Sequence, residues 1–114
     1  MKKTFWMTGL AALLAGLLMM TTRTMASPAE GPAPAVVKID NFSFSPNPLT
    51  VAVGTEVHWT NHDDVPHNVV ADDKSFKSKT MDTDESFTMT FTKPGTYSYF
   101  CGLHPRMTGK VVVK

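Results

Sequence analysis

Cys101 is the only cysteine in a chain of 114 residues, so no disulfide can form within the chain. Small exported domains ordinarily lean on disulfides or on a bound metal, because a short chain builds only a modest core. The N-terminus reads as an export signal. Lys2 and Lys3 precede an apolar run from Phe5 to Met20, and Thr24-Met25-Ala26 then offers the small-x-small pattern that a signal peptidase cuts. The run is shorter than the roughly 20 residues a spanning helix needs. Residues 1–26 are therefore predicted to be a cleaved signal peptide, leaving a periplasmic chain with no stable membrane insertion. A lone thiol in an oxidising compartment is vulnerable unless something occupies it. That points to a metal.

Removing the signal changes the charge. Lys2, Lys3 and Arg23 leave with it, so eight basic residues face ten acidic ones and the net charge falls from +1 to about −2. Such a chain has no basic stripe for nucleic acid and no polybasic patch for a membrane surface. Five of the eight methionines also lie in the signal, and only Met81, Met89 and Met107 remain. Residues 27–35, SPAEGPAPA, read as a flexible tether, and residues 36–114 as one small domain. The domain is expected to be a monomer.

Within the domain the dominant pattern is alternation. Leu49, Val51 and Val53 alternate with Thr50 and Ala52, and Val57 and Trp59 with Glu56, His58 and Thr60. Phe87, Met89 and Phe91 alternate with threonines, and Tyr97, Tyr99 and Cys101 share one face after the turn signal Lys93-Pro94-Gly95-Thr96. Val111 to Val113 form a closing strand. A period of two, punctuated by Gly and Pro, predicts an all-β antiparallel sandwich. Residues 70–84 carry no clear period and are expected to hold a long loop or at most a short helix.

Chemistry concentrates near the C-terminus. Cys101-Gly102-Leu103-His104-Pro105-Arg106-Met107 has the form C-x2-H-x2-M, and a further histidine stands upstream in Val65-Pro66-His67-Asn68-Val69. One thiolate, two imidazoles and a weak thioether make the donor set of electron-transfer copper. The candidate metal ligands are thus His67, Cys101, His104 and Met107, for one copper ion cycling between Cu(I) and Cu(II). Asn68 is placed to hydrogen-bond to the Cys101 segment and lock the two ligand-bearing stretches together. His58 and His62 read as solvated surface residues, the latter in a polar turn with Asp63 and Asp64. Zinc is the chemical competitor, but a thioether is a poor fourth ligand for it. Cysteine nucleophilic catalysis would need an oxyanion site and an orienting group that the sequence does not display, so no enzyme is expected. A periplasmic copper carrier or buffer uses the same ligands and stays open as the alternative to a one-electron carrier.

At these residues the chain resembles the cupredoxins, most closely the amicyanins, with plastocyanin and pseudoazurin further off because their loops place Met two residues later. The stretches VHWTN, VPHNV, GTYSYFC and MTGKVVVK carry the likeness, which is weakest between residues 70 and 85. The resemblance implies an eight-stranded Greek-key β-sandwich with copper at one end beneath an apolar surface. It also implies that His104 is the partly exposed electron port near which transient redox partners dock. Leu103 departs from the Pro that amicyanins typically carry before the loop histidine, and Arg106 from an apolar residue before the axial Met. The first bears on loop stiffness. The second sets a cation beside the expected apolar collar of Leu103, Pro105, Val65 and Pro66, which favours an acidic partner surface.

Overall fold

The computed structural model describes residues 31–114. The predicted signal peptide and the first part of the tether lie outside the described residues. Ala35, placed by sequence in the tether, already opens the first strand. Eight strands follow: β1 (Ala35–Asp40), β2 (Ser43–Ser45), β3 (Leu49–Val51), β4 (Thr55–Asn61), β5 (Val70–Ala71), β6 (Ser86–Phe91), β7 (Gly95–Cys101) and β8 (His104–Val113). Alternation decides which face of each strand is buried. In β4, Thr55, Val57, Trp59 and Asn61 point inward while Glu56, His58 and Thr60 lie further out.

The strands form two four-stranded sheets, in the orders β2-β1-β4-β6 and β3-β8-β7-β5. The all-β, eight-stranded sandwich expected from the sequence is what the chain forms. The sheets are not wholly antiparallel: β1 runs parallel to β4, and β3 parallel to β8. The reason is topological. β2 returns beside β1, whereas β3 crosses to the other sheet, so β4 comes back to β1 in the same direction.

Trp59 is fully buried, with the rings of Phe76, Phe87, Phe91 and Tyr99 at centroid distances of 5.6 to 6.2 Å. Truncating a packed aromatic of this kind costs about 3–5 kcal/mol. Gly109 is required by the same packing, because a Cβ there would collide with the ring and hydroxyl of Tyr99.

Residues 70–84 form the long loop expected but a more ordered one, and the last strand starts earlier than its sequence reading. Residues 70–84 contain no helix; they fold back as a strap held by the bridges His67↔Met81 and Val70↔Lys77, with Phe76, Ser78 and Met81 buried. Isolated inward residues separated by polar ones leave no period to detect. β8 also begins at His104, well before the expected Val111, because the chain after Leu103 pairs back with β7 at once.

Candidate metal centre

Cys101 closes β7, and its inward direction is set by Tyr97 and Tyr99 on the same face. Gly102-Leu103 then turns the chain, and His104 faces Cys101 as its partner on β8. The next β7 residue back, Phe100, pairs with Thr108. Pro105, Arg106 and Met107 therefore bulge out of the ladder, a device that re-aims side chains at the rim of a sheet. Met107 is buried by it and joins the core, while Pro105 and Arg106 stay exposed. His67 arrives from the other side of the same end, where its backbone exchanges hydrogen bonds of 3.1 and 2.7 Å with Met81.

The donor atoms of His67, Cys101 and His104 all lie within 4.8 Å of one another. Cys101 Sγ is 3.6 Å from His67 Nδ1 and 3.7 Å from His104 Nδ1. Two donors at metal-bond lengths of about 2.0–2.3 Å and trigonally disposed stand roughly 3.7 Å apart. The triangle thus fits one ion. His67 and Cys101 are fully buried, and His104 is partly so.

The surrounding hydrogen bonds hold this triangle in place. Asn68 Oδ1 accepts from Gly102 N–H at 2.6 Å, and Asn68 N–H points to Cys101 Sγ at 3.5 Å. The cross-link expected of Asn68 therefore exists. A Cβ at position 102 would stand 3.0 Å from Asn68 Oδ1, so the cross-link fits most closely against a glycine.

Asp63 is the residue that sequence reasoning missed. The sequence places it in a polar turn, but its carboxylate lies 2.7 Å from His67 Nε2. Accepting the Nε2–H fixes the tautomer that turns the Nδ1 lone pair toward the thiol. Partial burial opposes the charge on Asp63. The N–H groups of Phe42 and Asn41 and the His67 imidazole outweigh it and hold the carboxyl below its usual range. The signal was the spacing of four residues before a histidine, which on a loop has no fixed geometry.

At the surface, Leu103, Pro105 and Arg106 line a shallow depression around His104. Phe42, not singled out by sequence, packs beside the site, half exposed and edge-on to both imidazoles.

The geometry agrees with what relatives show. The family described as "Cupredoxin-like domain" matches residues 10–113. The chain belongs to the cupredoxin family. Its cofactor is one copper ion. An amicyanin from Paracoccus versutus is 34% identical over 101 residues, covering 83% of this chain and 76% of that protein. An amicyanin from Paracoccus denitrificans is 39% identical over 84 residues, covering 69% of this cupredoxin and 64% of that protein, so the chain spans just under two thirds of it. Among solved structures, an oxidised amicyanin variant superposes with a TM-score of 0.67 at 37% identity, covering 71% of this chain and 82% of that one. A copper-containing nitrite reductase from Thermus scotoductus gives 0.67 at 34% identity, but only 22% of that chain is covered. The cupredoxin module thus also occurs inside a larger protein named as an enzyme.

Proposed function

We propose that this cupredoxin is an exported, monomeric type 1 copper protein that carries single electrons between redox partners in the periplasm, with His67, Cys101, His104 and Met107 as ligands. The observation that carries the reading is the triangle of one sulfur and two Nδ1 atoms, two of its three residues fully buried. Bound there, copper supplies a one-electron couple. The chain's own residues do the rest. Asp63 and Asn68 keep the imidazole and the thiol in fixed positions, so little rearranges when the charge changes. Partial exposure of His104 leaves one short route from the site to the surface. Leu103, Pro105 and Phe42 give that route an apolar rim suited to a brief encounter, and Arg106 favours an acidic partner through the association rate. No substrate bond is made or broken, so the protein is not an enzyme.

Adding Cu(II) to the purified mature domain tests the reading by visible absorption and EPR. An intense blue thiolate-to-copper band, lost in Cys101→Ser, is expected; a pale, ordinary copper complex would overturn it. Rapid electron self-exchange with slow copper release is expected of the carrier of electrons, and the reverse of a carrier or buffer of copper.

A further inference from the structure

The turn between β1 and β2 is built in a costly way. Asn41 and Phe42 form a two-residue hairpin with φ of 52° and 58°. Left-handed backbone suits Asn but is an outlier for a bulky aromatic, and such residues persist only where the surroundings over-determine them. Here the constraint is visible. The Asp63 carboxylate accepts the N–H of Asn41 at 2.6 Å through one oxygen and that of Phe42 at 2.9 Å through the other. The second of these oxygens also meets His67 Nε2. One carboxylate therefore ties the turn to the buried imidazole.

Phe42 is carried by that turn over the outer side of the site. Its ring centroid is 5.4 Å from that of His67 and 5.1 Å from that of His104, with the planes at 88° and 84°. The two imidazoles lie 4.9 Å apart beneath it. Even so, Phe42 remains 51% exposed. A large ring left half in water, on strained backbone, is poor core filler. Its position makes sense as a wall.

We propose that Phe42 is a positioning residue of the metal centre: its ring braces both ligand imidazoles edge-on and closes the solvent side of the copper. Asp63 couples this brace to the buried half of the site, so the outer and inner imidazoles are set by one clamp. The inference rests on the copper reading above and adds a residue outside the ligand set.

Three substitutions separate the ring from mere apolar bulk: Phe42→Ala, Phe42→Leu and Phe42→Tyr. The measurements are the rate of copper transfer from the reduced protein to a Cu(I) chelator, the energy of the thiolate-to-copper band, and the proton shifts of the two imidazoles in the copper-free protein. In Ala and Leu we expect release to quicken on the order of 10-fold, as for the loss of other groups that orient ligands. We also expect the band to move and the ring-current displacement of the imidazole protons to vanish. Tyr keeps the ring and should restore all three. Melting of the copper-free variants should stay close to that of the parent, since the side chain is half exposed. If Ala and Leu release copper at the parental rate with an unmoved band, Phe42 does not position the site. A parent chain that forms no blue complex would overturn the copper reading, and the brace with it; a blue parent with indifferent variants overturns the brace alone.

Discussion

The two histidines of the site sit in opposite circumstances. His67 is fully buried and held at Nε2 by Asp63, and its backbone is bridged to Met81. His104 lies at the end of a two-residue turn and is partly exposed. Among the described residues its ring's polar contact is to Cys101 Sγ alone. What surrounds it is apolar or cationic: Phe42, Leu103, Pro105 and Arg106. One imidazole is fixed by hydrogen bonds that hold its ring in place. The other is shaped by contacts that leave it reachable. A site meant to hold its metal yet pass an electron out needs both, and it cannot ask both of one side chain.

Breaking the fixed side should have the largest effect. Asp63→Ala removes the acceptor from His67 and both turn N–H groups, and copper affinity should fall about 10–100-fold in a competition titration. An unchanged affinity would mean that His67 is held by packing alone. Cutting the link between the two sides comes next. Asn68→Ala removes the partner of the Gly102 N–H, which should cost about 1 kcal/mol in the denaturant unfolding of the copper-free protein. A loss much smaller than that would show the two ligand stretches to be independent.

Arg106→Glu touches only the open side. Oxidation of the Cu(I) protein by hexacyanoferrate(III), an anion, should slow several-fold at low salt and converge with the parent at high salt. The affinity for copper should not move. The smallest effect concerns pH. The Asp63 carboxyl is held below its ordinary value in the folded state, so its contribution is fully present above the unfolded value of about 3.9 and is lost as pH falls through the folded one. Asp63→Asn should therefore flatten part of the acid limb of copper-free stability, and an acid limb identical to the parent's would place the loss elsewhere.

The β-rich fold was legible because burial on one face leaves a period of two in the sequence, clear in β4, β6 and β7. It was not legible in residues 70–84, where Phe76 and Met81 reach the core singly. The early start of β8 was hidden as well, because backbone pairing across Gly102-Leu103 leaves no side-chain pattern. Cys101, His104 and Met107 stood out because a short loop must carry its donors at short spacings.

Asp63 and Phe42 had no comparable mark. Phe42 lies 25 residues before His67 and 62 before His104, and only the meeting of the β1–β2 turn with the segment after β4, tied through Asp63, brings it over them. The sequence by itself determined which donors the chain owns, because donor chemistry resides in single residues. The tertiary structure decided how they are braced and which one faces the solvent, because hydrogen bonds and ring contacts depend on distances between segments far apart in the chain.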